Sequence, residues 1–405
     1  MNPLLNHVAT HPLQTIFKLA CVAAILTGCG GGGGSTGTTS FASGTITGFG
    51  SVILDRKTRI DDSAAKIRSD DDDDADAIHD KSELKLGMHI EVEAGDITDD
   101  SSGRHSKASE IRFGSELVGP VDAVNATAST FTVLGQTVKV DPTTTIFDNS
   151  ISVGFSPALV NMVVEVHGLF DSASKTYTAS RVEAKAATQP TFKIRGAIDT
   201  INVNGTTITI GSETISLDLI APLPKLSAGD IVRVKVKTPK VGSAWVAISI
   251  KSGVRKMEDH DEAEIKGAVQ HFTDKSKLFD VNGTSVDAKN VASMPSITDG
   301  DFVEVEGSIV NGVLVATKVE LEDTNTAGAA KFEFHRKITA IGNGTFDLGT
   351  APNVTTISWD NTTTFFVAPA SSISLTANTC IEVKAKLVSG ALHAVRIALD
   401  NTCTQ

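Results

Sequence analysis

Apolar and polar residues alternate in one short pattern that returns five times along the chain. It reads Gly87-Met88-His89-Ile90-Glu91-Val92, Asn161-Met162-Val163-Val164-Glu165-Val166, Gly229-Asp230-Ile231-Val232-Arg233-Val234, Gly300-Asp301-Phe302-Val303-Glu304-Val305 and Asn378-Thr379-Cys380-Ile381-Glu382-Val383. Successive copies lie 74, 68, 71 and 78 residues apart. A period of two belongs to a strand whose side chains point alternately to opposite faces. Ile90 and Val92, with their four sets of counterparts, are therefore expected on a core face, and Glu91, Glu165, Arg233, Glu304 and Glu382 on a wet one. The first position is always Gly or Asn, the residues that enter left-handed backbone most cheaply, which predicts a turn with positive φ ahead of every copy.

Each of these signature strands is expected to turn into a closing strand. The clearest case is Val303 to Val310 and Val313 to Leu321 joined by Asn311-Gly312, a sequence suited to a two-residue hairpin. Each copy also opens with a strand, seen as Gly44-Thr45-Ile46-Thr47-Gly48, Val118-Gly119-Pro120-Val121, Ile194-Arg195-Gly196-Ala197-Ile198, Ile265-Lys266-Gly267-Ala268-Val269 and, most diverged, Lys337-Ile338-Thr339-Ala340-Ile341. A second hairpin lies between opener and signature strand, turning at Asn282-Gly283 in one copy and at Gly135-Gln136 in another. The expected fold class is all-β: a tandem array of about five small barrels like the oligonucleotide-binding barrel, because closure removes the exposed edges of a lone five-stranded sheet. A single large β-sandwich would use the same strands. Barrels this small are marginal alone, so neighbouring units are expected to stack into a rod or arc.

The units are read as 43–114, 115–189, 190–257, 258–324 and 325–405, the fourth including an acidic joint at Glu258 to Glu264. Ahead of them, 1–28 reads as a cleaved targeting segment: Lys18 supplies a positive flank, and the apolar run to Leu26 is too short to cross a bilayer. Leu26-Thr27-Gly28-Cys29 resembles a bacterial lipobox, which makes Cys29 the lipidated residue and the membrane a partner through that anchor. Gly30 follows the cysteine where an aspartate would retain a lipoprotein in the inner membrane, so the expected address is the outer membrane of the cell envelope. Residues 29–42 read as a lipidated cysteine and flexible Gly/Ser/Thr tether.

A formal net charge of −12 argues against a nucleic-acid partner, which calls for a basic face. Of four cysteines, Cys21 leaves with the signal and Cys29 is acylated, so Cys380 and Cys403 are expected to pair in an oxidising compartment. Taking Ser389-Gly390 as the turn puts Cys380 opposite Leu399, with Cys403 about 13 Å further along if extended; the tail has to bend back.

The openers, the stretch Gly300-Asp301-Phe302-Val303-Glu304-Val305-Glu306-Gly307 and the acidic joint before Ile265 resemble the bacterial family known as domain of unknown function 5666. That resemblance implies tandem β domains in exported lipoproteins and offers no activity.

Candidate chemistry is sparse. Asp70, Asp71, Asp72, Asp73 and Asp74 form an insertion in the first copy, dense enough to predict a solvated loop. Such a run offers oxygens to Ca²⁺, although it lacks the glycine and distal glutamate of the helix-loop-helix calcium loop. His79, His89, His105, His167, His271, His335 and His393 show no pair at metal-binding helical spacing, and no nucleophile elbow or phosphate loop is present. The expectation is a non-enzymatic, lipid-anchored structural, adhesive or binding module with no cofactor beyond weak calcium, its partner an envelope protein or a glycan. A carbohydrate- or calcium-binding accessory protein is the alternative, and an enzyme with an inter-repeat site is a third.

Overall fold

The computed structural model describes residues 39–405 apart from 73–75, 101–102, 172–173, 255–256, 322–329, 368–374, 401–402 and 404–405. Every copy closes a ring of five strands. In the second, the opening strand Leu117–Asn125 pairs antiparallel with Thr130–Val133, and that with Gln136–Val140. Gln136–Val140 runs parallel to the closing strand Thr176–Ala184, which pairs antiparallel with the signature strand Val163–Asp171. The signature strand returns to the opener and closes the ring. The same circuit, with one parallel pair, recurs in copy one, copy four and copy five. Copy three follows it with Thr200–Ile201 extending its opener. This is the strand order of a small closed barrel, and closure leaves no strand edge to aggregate.

The apolar alternation fills the barrels as expected. Ile90, Val92, Val164, Val166, Val232, Val234, Val303, Val305, Ile381 and Val383 are all buried. Ahead of each signature strand the backbone does turn left-handed, with φ of 86° at Gly87, 70° at Asn161, 93° at Gly229, 89° at Gly300 and 69° at Asn378. One turn sits a residue earlier than its sequence suggests. Leu134 and Gly135, not Gly135 and Gln136, carry the positive φ, which frees Gln136 to start the next strand.

A bulge recurs at one place in every ring. Six residues after each left-handed turn the register with the closing strand shifts, leaving Ser109, Ser180, Ile248, Thr317 and Val395 unpaired. An extra residue on one strand bends the pair and increases its twist, which a barrel of only five strands needs in order to close.

The five barrels do not touch only their neighbours in sequence: the first copy meets each of the other four. The first opening strand, Ser40–Phe49, runs parallel to the opener of copy four from Ser40↔Glu262 to Ser43↔Ile265, and then to that of copy five at Gly48↔Glu333 and Phe49↔Phe334. Ser40 to Ala42, expected at the end of the tether, thus belong to a strand, and Phe41 is buried in the core of copy four. Copies one and five share a core, as do copies two and three. Copy two reaches copy one through Lys85–Glu183 at 3.0 Å and through Arg181 Nη1, which donates to the Leu86 carbonyl at 3.0 Å.

Candidate functional site

The face of the signature strands expected to be wet meets another barrel at Arg233 and Glu304, while Glu165 and Glu382 pair with Lys185 and Arg396 of their own copies. Arg233 of copy three donates to Asp70 of copy one at 2.6 Å. Next to it, the Lys193 ammonium is ion-paired with Asp71, whose carboxylate also accepts from the backbone N–H and hydroxyl of Ser115 at 3.1 and 3.0 Å. Burial alone would raise the Asp71 pKa, but Lys193 and Ser115 bring it down to about 2. Asp72 takes the next contacts: its carboxylate lies 2.6 Å from His79 Nε2, and its carbonyl accepts from Lys251 Nζ at 3.2 Å. Asp70, Asp71 and Asp72 are therefore not a solvated loop. The mutual repulsion that argued for one is offset by cations from another copy, invisible at that distance in sequence. Their engaged oxygens are those a calcium ion would have to take over. Asp73 and Asp74 lie outside the described residues, as does Cys29.

Copies one and four are joined by a second charged cluster. Lys57 bonds Glu304 and lies 2.8 Å from Glu306, while Arg104 reaches Glu264 and Glu306 at 3.3 Å each. Burial, and then the nearby Glu304 charge, push the Glu264 carboxyl up to about 7 against the pull of Arg104 and Lys57. The acidic joint is part of this interface: Glu262 to Glu264 lie on the strand His260–Gln270, and buried His260 is paired with Glu93 of copy one.

Two histidines, His89 and His393, stand beside serine hydroxyls. His89 Nε2 stands 2.9 Å from the Ser43 hydroxyl and 3.3 Å from Asn282, but its Nδ1 is sealed from solvent without a partner, so nothing orients the ring as a base. Burial lowers the pKa of His89 to about 4 and also lowers that of His167. Ser358, His393 and Asp360 come nearest to a catalytic succession, at 3.0 Å from the Ser358 hydroxyl to Nδ1 and 3.5 Å from Nε2 to Asp360. The Asp360 carboxylate, however, caps the turn Asp360-Asn361-Thr362-Thr363-Thr364 by accepting from the N–H groups of Thr362 and Thr363 at 2.7 Å. Asp141 caps Thr143 in the same way in copy two, which identifies a repeated turn.

Cys380 and Cys403 are joined in a disulfide, with Cα atoms 5.8 Å apart. The hairpin does turn at Ser389-Gly390, but the bulge at Val395 shifts the register, so that Leu399 faces Ile381 and the Asp400 N–H donates to the Cys380 carbonyl at 3.0 Å. Cys403 is thus one residue nearer its partner than uninterrupted counting implies. Asp400 in turn binds His335 Nδ1 at 2.8 Å, and His335 Nε2 meets Glu333 at 2.7 Å and Arg59 of copy one at 2.6 Å.

A cleft of about 520 Å³ lies between copies one and five. Phe49, Gly50 and Leu84 line it from the first copy, and Arg336, Gly349 and Pro352 from the fifth. Arg336 lies on the same side of the fifth opening strand as buried Phe334 and Ile338, opposite Ile381, and its side chain lines the cleft against copy one. Its guanidinium lies over the Phe49 ring, 4.8 Å from the centroid. Among the described residues no carboxylate comes within ion-pair distance of it. Burial lowers its pKa, with only partial opposition from Asp62. Sequence reasoning missed this residue because its two walls are about 290 residues apart (Phe49 to Arg336) and neither carries a motif.

The family model described as Domain of unknown function (DUF5666) matches residues 118–183, 193–251, 266–320 and 337–398. The chain belongs to this family. The matched ranges fall on copies two to five, and copy one carries the same ring of strands outside them. No curated protein matches the chain. A solved structure described as drosophila Unr CSD456 is 13% identical over 51% of this chain and 96% of that one, with a TM-score of 0.13, and at that TM-score it carries no argument.

Proposed function

We propose that this DUF5666 protein is a non-catalytic binding module held at the bacterial cell envelope by a lipid on Cys29, its five barrels acting as one rigid head. The observation that carries the reading is the cleft between copies one and five. Elsewhere the polar groups between copies are largely spent on one another, in the Asp70–Arg233, Asp71–Lys193 and Lys57–Glu306 pairs. At the cleft Asn353 donates to the Ser82 carbonyl across the two copies, but Arg336 pairs with no carboxylate among the described residues, in a concavity of the size that small ligands and chain ends occupy. A rigid head suits this role, since a site built from two barrels keeps its shape only if the barrels do not move apart.

Two experiments test the two halves of the proposal. Cys29→Ala is expected to move the protein from the detergent phase to the aqueous phase, and a variant that still partitions with lipid refutes the anchor. Thr350→Trp, at an exposed position lining the cleft, is expected to abolish capture of envelope material by the immobilised mature protein. Identical capture with and without the tryptophan, or none in either case, refutes the cleft as the binding site.

A further inference from the structure

We infer that the cleft between copies one and five is an acidic-saccharide site in which Arg336 receives the carboxylate of a uronic acid. This rests on the reading of the cleft as a binding site and names what it binds.

The guanidinium is held in place before any ligand arrives. One side lies on the Phe49 ring. On another, Gly349 leaves it room: a Cβ there would stand 2.7 Å from Nη1, and the φ of +82° at Gly349 already favours glycine. A guanidinium presents its N–H donors in a planar fork, and that fork matches the two coplanar oxygens of a carboxylate. Arg336 is partly desolvated and has no ion-pair partner among the described residues, unlike Arg233, Arg195 and Arg396, which all have one. A desolvated cation without a counter-ion is an unfavourable arrangement that an incoming anion relieves.

The rest of the lining selects the body of the ligand. Lys81 and Lys337 add positive charge beside Arg336 against the carboxylates of Asp62 and Asp80, of which Asp80 caps the turn beneath by accepting from the Ser82 N–H at 2.8 Å. Hydroxyl and amide groups at Ser51, Thr350 and Asn378 alternate with the apolar surfaces of Leu84 and Pro352. Such a mixture suits a polyhydroxylated ring with one apolar face, and about 520 Å³ accommodates one or two such rings. A bare inorganic oxyanion would leave most of this surface unused.

Titration calorimetry of the mature protein with D-glucuronate, digalacturonate, glucose and inorganic phosphate tests the inference. Digalacturonate is expected to saturate one site and to bind at least about tenfold more tightly than glucose. Arg336→Gln is expected to weaken it at least about tenfold, the scale of a lost hydrogen bond to a charged group. Arg336→Lys should recover only part of that affinity, because an ammonium keeps the charge without the fork. Thermal melts matching wild type establish that both variants fold. No heat with either uronate, equal affinity for phosphate, or full affinity in Arg336→Gln each overturns the inference. If uronates fail while Thr350→Trp still abolishes capture of envelope material, the ligand assignment falls and the binding-module reading stands.

Discussion

Asp70 in the first barrel and Arg233 in the third are 163 residues apart and share a hydrogen bond of 2.6 Å. Together with the neighbouring Asp71–Lys193 pair, it turns the aspartate insertion of copy one into a fastener. The Lys193 side chain is 7% exposed, so removing its partner strands a buried ammonium. Asp71→Ala is expected to cost about 3 kcal/mol, in line with the loss of one member of a buried pair. Urea denaturation of Asp71→Ala, Lys193→Met and the double variant measures this. The double variant should recover much of the loss, and simple additivity of the two single changes would show that the residues do not act as a pair.

The repeated left-handed turn can be tested at Gly300, where φ is 89° and a Cβ would lie no closer than 3.6 Å to any atom beyond its chain neighbours. Space is therefore not the constraint, and only backbone conformation distinguishes substitutions. Gly300→Val is expected to destabilise by roughly 1–3 kcal/mol, whereas Gly300→Asn should be better tolerated because Asn161 and Asn378 already hold φ of 70° and 69° at equivalent positions. Thermal melts of the two full-length variants decide the matter. Equal losses would remove the conformational explanation.

Buried His89 and Glu264 give the stability opposite pH dependences. The folded pKa of Glu264 is raised from 4.5 to about 7, so its contribution is fully present below pH 4.5 and is lost as pH rises through 7. Glu264→Gln should therefore stabilise the protein at pH 8, by roughly 2 kcal/mol, relative to any effect at pH 5. His89 is lowered from 6.5 to about 4, so its contribution is present above pH 6.5 and is lost as pH falls toward 4. His89→Gln should flatten that acid limb. Urea midpoints from pH 4 to 8 for the wild type and each variant would expose a wrong sign in either assignment.

The disulfide closes a 23-residue separation between Cys380 and Cys403. Loop-closure entropy then predicts that Cys380→Ser lowers stability by about 3 kcal/mol. The tail that carries Asp400 should also be released from His335, which lies between Asp400 and Glu333 at the boundary with copy one. A non-reduced digest should yield the two cysteine peptides joined, and free alkylation of both thiols in protein isolated under oxidising conditions would reject the staple.

Local rules made the individual barrel legible. Strand faces follow from alternation, as at Val303 and Val305, and the turn ahead of each signature strand follows from the restriction of one position to Gly or Asn. The hairpin turns at Asn282-Gly283, Asn311-Gly312 and Ser389-Gly390 are equally local, each with positive φ at both residues. The recurring bulge was not legible, because the five positions Ser109, Ser180, Ile248, Thr317 and Val395 carry four different residue types; barrel curvature places it.

Periodicity determined that the chain is a series of short β strands with a buried face, repeated five times, since a strand must bury alternate residues whatever surrounds it. The fate of the polar alternates was left to tertiary structure. Glu304 and Arg233 have the pattern of solvent-facing residues, yet Glu304 is 5% exposed and Arg233 is bonded across a barrel boundary. Phe41 and Arg336 likewise acquire their roles only when copy one meets copies four and five. A charge can be placed at an interface when an opposite charge meets it there, and which distant copy supplies that charge depends on how whole barrels pack, a relation that no local period encodes.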